Sequence, residues 1–334
     1  MIILEYYNIY NMKECPEKKI LNPITNRCVN IDGKIGKSIL KNKYNINISN
    51  ENNSCYIDSL FVALFHFKNR VLYNSFFKNE LSERYPKKIQ EEIYKIYRYI
   101  NKNEDISNKQ CYYIRKYLDK YYNHLIKQNS NNKIFFNSSD NWRTQQIDIF
   151  ELLTFLDKIF NFEENIKIKD GNNKYVKNMI VEISSYNLMN INVLDISTLI
   201  PIKTEKYNLD RNNYYTNSKG ELVKYYEKKY EIIKTKGILF IQLYRNSGRN
   251  KLTTNIIYPN KINIKGDKKP LLLRSIILHK GTTINSGHYT TIIKIAEKTY
   301  EYDDIRKSDN KLAEIDEDYE RKMSKNVVGL IYSK

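Results

Sequence analysis

The 334-residue chain has only four cysteines, at positions 15, 28, 55 and 111. They are too few and too scattered for a disulfide framework in a chain this long, which fits a reducing compartment. No apolar run approaches the roughly 20 residues that span a bilayer. The N-terminal MIILEYYNIY breaks its apolar run with Glu5 and Asn8 and lacks a basic n-region, so no signal peptide is expected. The expectation is a soluble, intracellular protein. Cysteine is absent from residues 163 to 235, which excludes a zinc-held β extension built on paired C-x-x-C ligands there.

Apolar residues make up 41% of the chain, below the usual share, but 30 Tyr and 12 Phe can fill a sizeable core. Lys and Arg exceed Asp and Glu by 56 to 38, a formal charge of +18, which invites a nucleic-acid or anionic-surface partner. The lysines are spread along the chain among frequent Asn, Ile and Tyr, residues that share A/T-rich codons, and no nucleic-acid motif is recognisable. Nucleic-acid binding is therefore a rival reading, which loss of binding at raised salt would support.

Asn50 to Phe67 reads NENNSCYIDSLFVALFHF, a polar loop entering a run that is apolar on nearly every side. A buried helix beginning at Cys55 is expected. The first turn of a helix leaves N–H groups unsatisfied and carries partial positive charge, which favours thiolate over thiol. Taken alone, Cys55 reads equally as a small buried hydrophobe. Far downstream, HKGTTINSGHY places Gly287 before His288, and TYEYDD ends a strand with Asp303 and Asp304. A thiol protease needs an imidazole to take the cysteine proton and a carboxylate or carboxamide to orient that imidazole. Cysteine first, with His and Asp late, is the order found in papain-like enzymes.

Between these ends, residues 81–128 show helical periodicity, with Ile89, Ile93, Ile96 and Tyr97 on one face; Cys111 and His124 there read as packing or surface residues. A further helix is expected from Gln145 to Phe160, with Asp148 and Glu151 on one side, either as dipole-favoured carboxylates or as a pair binding a cationic ligand such as arginines. Residues 163–235 read as polar and strand-like. From GILFIQLYR to VVGLIYS, alternating segments predict an antiparallel sheet packed on the helices.

Asn50 to Leu64 resembles the cysteine box of the ubiquitin-specific proteases, and Ser286–Tyr289 with Tyr302–Asp304 resembles their histidine box. Gln146 to Leu152 is similar to the Q-x-D-x-x-E helix of that family, and Ile238 to Arg245 to its palm strand. Four boxes in order cover about residues 46–334. The resemblance implies an α+β papain-like fold with a helical thumb, an antiparallel β palm and reduced, zinc-free fingers. It implies hydrolysis of the isopeptide or peptide bond after the C-terminal glycine of ubiquitin, with ubiquitin or ubiquitinated proteins as partners and no metal or organic cofactor. Residue by residue, it makes Cys55 the nucleophile, His288 the base, Asp303 the residue orienting it, Asp304 a supporting group and Asn50 the oxyanion-hole amide. It assigns Asp148 and Glu151 to arginines of the ubiquitin tail, and Gln146, Gly287 and Tyr289 to the tail channel.

Two departures carry expectations. Asn52 stands where the family commonly has glycine, and Asn tolerates left-handed backbone. Asp58 replaces an asparagine, and its charge is expected to oppose thiolate formation, leaving a catalytically inactive ubiquitin-binding module as the alternative reading. Residues 1–45 form a separate unit by composition. Cys15 and Cys28 flank an Asn-Pro turn signal, and two reduced cysteines in a small hairpin are expected, followed by a short linker, GKIGKSILKNK. Lys13 to Ile31 is similar to the two-cysteine adaptor segment of large DNA viruses. That implies a viral protein, in the host cytoplasm or packaged in the virion, and a docking role whose partner is not identified.

Overall fold

The computed structural model describes all residues except 1–14, 17, 23–26, 44–45, 49–52, 103–108, 129–146, 163–165, 170–174, 178–179, 190, 201, 209–214, 217–221, 224, 248–249, 284–285, 296–297 and 308–309. Strands Lys19–Asn22 and Arg27–Asn30 pair as an antiparallel hairpin. The expectation of reduced cysteines is corrected here: Cys15 and Cys28 are joined in a disulfide, because the hairpin folds the chain before its first strand back to within 5.6 Å (Cα to Cα) of Cys28. The expected linker is also corrected, since Lys34–Lys43 is a helix. Gly36 permits it: a Cβ there would lie 2.1 Å from the Asn30 carbonyl oxygen, so only glycine lets this helix fold onto the hairpin.

Among the described residues, five helices follow up to residue 160: Cys55–Phe65, Arg70–Phe77, Arg84–Lys102, Gln110–Gln128 and Ile149–Phe160. The first is buried along its whole length, as its unbroken apolar run requires. Arg70–Phe77 was not anticipated; it starts where the Asn69 side chain accepts from Leu72 N at 2.9 Å. Phe65 sits edge-on to Phe76 and Tyr97, with centroids 5.4 and 5.5 Å away, so the aromatic content packs the helices together. The last helix begins at Ile149 rather than Gln145, because Asp148 caps it by accepting from Phe150 N and Glu151 N.

The central sheet runs in the order Leu312–Ile315, Lys298–Tyr302, His288–Ile295, Leu271–Lys280, Val327–Ser333, Ile238–Leu243, Ile180–Ile183, with Lys261–Ile262 added beside Leu271–Lys280. Its pairings are antiparallel except the last, in which Ile238–Leu243 runs parallel to Ile180–Ile183, so the expected antiparallel sheet is mixed. The period of two explains why ILFIQL reads as continuous apolar sequence. Ile238 and Phe240 face the helices, while Leu239, Ile241 and Leu243 enter a second core with Leu188, Leu194, Ile196 and Ile256. Gly329 lets the helix Ile149–Phe160 come down on the sheet, since a Cβ there would meet Phe150 Cζ at 2.4 Å.

The polar stretch folds as a separate four-stranded sheet, in the order Tyr175–Lys177, Ile166–Lys169, Tyr225–Thr235, Ile202–Asn208. Leu312–Ile315 and the helix Glu317–Met323, capped by Asp316 on Tyr319 N at 2.7 Å, were not read from the sequence. No described helix is long and apolar enough to cross a membrane.

Candidate active site

Cys55 is the first residue of its helix and is buried. Asn53, two residues before it, has left-handed backbone with φ 66°; Asn52, for which tolerance of such backbone was noted, lies outside the described residues. Side-chain bonds lash the cysteine helix to the sheet. Ser59 Oγ donates to the Tyr289 carbonyl at 3.0 Å, and Thr291 Oγ1 donates to the Ser59 carbonyl at 2.9 Å. One turn further on, Ser275 Oγ donates to the Ala63 carbonyl at 2.7 Å. Three small hydroxyl residues thereby fix the helix bearing Cys55 against the strand bearing His288 and its neighbour Leu271–Lys280.

His288 opens the strand His288–Ile295, paired with Lys280 across the hairpin. A Cβ on Gly287 would lie 2.6 Å from both His279 Nε2 and the Lys280 carbonyl oxygen, so the glycine allows this tight return. His288 Nε2 is 2.8 Å from Asp303 Oδ1 and 3.3 Å from Asp304 Oδ1. Cys55 is close enough to the ring to act on its charge. With Nε2 occupied by the carboxylates, Nδ1 is the nitrogen left for the sulfur.

Burial works against a charged His288. The Asp303 bond, the nearby Cys55 and the negative charge of Asp304 outweigh it and push the ring up to about 10. Burial likewise opposes the Asp303 carboxylate, but the bond and charge of His288, the Lys280 charge and the Ile305 N–H hold it below the usual range. Lys280 Nζ is 3.9 Å from Asp303 Oδ2 and is itself held 2.7 Å from Glu301, which also accepts from Thr290 and Tyr319. Sequence reading missed this supporting network because its members come from four separate segments. The neighbouring His279 is pushed down to about 4 by burial and by the charges of Lys251 and His288, so it stays neutral beside the site.

Asp58 corrects an expectation. It is fully buried, and Ser54 Oγ donates to its Oδ2 at 2.7 Å while the Cys111 thiol donates to its Oδ1. Burial, followed by the charge of Asp304, holds the Asp58 carboxyl well above the usual range. The negative charge expected to oppose a thiolate at Cys55 is thereby disfavoured. Cys111, read from sequence as packing, touches the site through Asp58; a separation of 53 residues left no sequence signal of this.

Tyr289 Oη donates to Asp148 Oδ2 at 3.1 Å, which joins two expected channel residues directly. Glu151 is exposed on the next turn. Tyr244 donates to Glu182 at 3.2 Å. Burial raises the Tyr244 phenol, as do the charges of Glu182, Asp148 and Glu151, so three carboxylates share one electronegative flank. Asn50 and Gln146 lie outside the described residues.

Among the described residues, His288, Asp303 and Asp304 form a group with metal-ligand spacing. Their lone pairs already meet across the ring N–H, which is the arrangement of an oriented imidazole.

A family model described as ubiquitin carboxyl-terminal hydrolase matches residues 46–332. No curated protein sequence matches the chain. Among solved structures, the fold is similar to a chain of the SAGA Ubp8/Sgf11/Sus1/Sgf73 DUB module bound to ubiquitin aldehyde. That match has TM-score 0.56 and 16% identity, and covers 95% of this chain and 80% of that one. A SAGA DUB module of the same four proteins bound to monoubiquitin matches with TM-score 0.54 and 15% identity, covering 99% of this chain and 74% of that one.

Proposed function

Because the chain belongs to the ubiquitin carboxyl-terminal hydrolase family, we propose that it is a cysteine-type deubiquitinase cleaving the isopeptide or peptide bond after the C-terminal glycine of ubiquitin. The observation that carries this reading is His288, bonded through Nε2 to Asp303 at 2.8 Å, with Cys55 acting on the same ring. Asp303 orients the ring and favours its charged form, which in turn favours the Cys55 thiolate.

The thiolate attacks the glycine carbonyl carbon, and the charge that builds on oxygen falls near the start of the cysteine helix, where backbone N–H groups lack intrahelical partners. On the family resemblance, Asn50 adds an amide donor there. His288 gives its proton to the departing amine, leaving a Cys55 thioester. It then takes a proton from water, whose attack releases the ubiquitin carboxylate and restores the thiol pair.

Asp148 and Glu151, with Glu182 nearby, supply the negative flank for the arginines of the ubiquitin tail, and Tyr289 and Gly287 line the channel. In this reading residues 1–45, which precede the family match, form a docking segment of viral type.

The test is labelling of the purified protein with ubiquitin carrying a C-terminal thiol-reactive warhead, beside Cys55→Ala. A mass gain of one ubiquitin on the wild type alone supports the reading. No adduct, with non-covalent ubiquitin binding retained, would replace it with an inactive binding module.

A further inference from the structure

Asp58 and Asp304 are buried carboxyls beneath the candidate site, close enough for each to act on the other's charge. The two carboxyls are 0% and 2% exposed, and Asp304 Oδ1 reaches 3.3 Å from His288 Nε2. Among the described residues, Asp58 has no cation within ion-pair distance. It is faced by Ser54 from the turn before its helix, Cys111 from the helix Gln110–Gln128, Tyr302 from the strand Lys298–Tyr302, and Asp304 just beyond that strand. The buried guanidinium of Arg115 stands behind Tyr56, over whose ring it lies at 5.9 Å. Two adjacent carboxylates in such a site cannot both be ionised, because each would lose its hydration and repel the other.

We propose that Asp58 is a positioning residue: it is held as the neutral acid, it shares its proton with Asp304, and the bond so formed aims the remaining carboxylate at His288. The pair then carries one negative charge, which strengthens the charged imidazole. Ser54 and Cys111 each donate to one oxygen of Asp58 and fix its carboxyl. The dependence on burial and on Asp304 agrees with the raised range noted for Asp58. The role in catalysis rests on His288 acting as the base for Cys55; the shared proton does not.

Three measurements on the full chain test it. An infrared difference spectrum, wild type minus Asp58→Asn at pH 7, is expected to show the carbonyl band of a neutral carboxylic acid; absence of that band overturns the proposal. In hydrolysis of a fluorogenic ubiquitin amide, Asp58→Asn, whose amide can still donate to Asp304, is expected to stay within about threefold of wild type. Asp58→Leu, which cannot donate, is expected to lower kcat about 10²-fold with KM unchanged. An Asn variant as slow as the Leu variant, or a Leu variant as fast as wild type, overturns the positioning role.

Alkylation of Cys55 by iodoacetamide, followed by mass spectrometry, is expected to rank the variants in the same order without any ubiquitin. A wild type that is inert to ubiquitin but shows this ranking and the infrared band would defeat the deubiquitinase reading and leave the positioning role standing. Should Asp58→Leu fail to fold, the Asn variant and the infrared band decide.

Discussion

The Ser59 hydroxyl donates to the carbonyl of Tyr289 across 3.0 Å, tying the helix one turn past Cys55 to the residue that follows His288. The distance between nucleophile and base is therefore set by a bond in which neither takes part. Ser59→Ala should cost about 1–2 kcal/mol of stability, because a buried carbonyl loses a donor. It should also lower kcat with little change in KM, as Cys55 loses its register against the ring. Urea unfolding and steady-state kinetics on a ubiquitin amide would check both, and an unchanged kcat would show that the Thr291 and Ser275 bonds suffice.

Asp303→Asn should draw the alkaline limit of activity downward. His288 stands at about 10 after burial is outweighed by Asp303, Cys55 and Asp304, so its charged form persists until pH rises through that value. Removing the Asp303 charge lowers that ceiling, and the imidazolium that supports the thiolate is lost at lower pH. The pH profile of Cys55 alkylation reads this directly; a profile identical to wild type would mean that Asp304 alone sets the charge.

Two roles of Asp148 can be separated. It caps the helix Ile149–Phe160, and the proposed function adds a second role, charge offered to the ubiquitin tail. Asp148→Asn preserves the cap and should leave stability within a few tenths of a kcal/mol, while Asp148→Ala should cost about 1 kcal/mol. Both should raise KM for ubiquitin substrates more than they lower kcat, and raised salt should narrow the gap from wild type. Equal KM values for all three proteins would remove Asp148 from substrate binding.

The stability advantage of Asp58→Asn over wild type should grow with pH. The folded-state Asp58 is raised above its unfolded value, so between the two the native chain keeps a proton that the unfolded chain releases. Wild-type stability from this group is complete below the unfolded value and falls as pH rises towards the folded one; asparagine does not titrate. Urea midpoints of the two proteins at pH 5 and pH 8 would show it, and a constant difference would mean that Asp58 is ionised at both.

Gly329→Ala places a methyl 2.4 Å from Phe150 Cζ. Phe150 must shift and carry the start of its helix with it, at about 1–3 kcal/mol. Because that helix begins beside Asp148, a rise in KM should accompany the loss of stability; thermal unfolding with kinetics would test the pairing.

Local pattern alone determined the buried helix starting at Cys55, the long amphipathic helices and the run of strands that ends in Asp303 and Asp304. Each of these is encoded in periodicities of 3.6 or 2 over adjacent residues, or in a run apolar on every side. It did not determine the parallel edge at Ile180–Ile183, the helix at Lys34–Lys43 or the Cys15–Cys28 bond, since these depend on what a segment meets rather than on its own spacing.

The charge of Asp58 shows the limit most sharply. From sequence it is an anion three residues after the cysteine. Only the fold brings Asp304 and Cys111 to it from 246 and 53 residues away, removes water from both carboxyls and disfavours its charge. An ionisable group takes its state from its surroundings, and those surroundings are assembled by packing between distant segments.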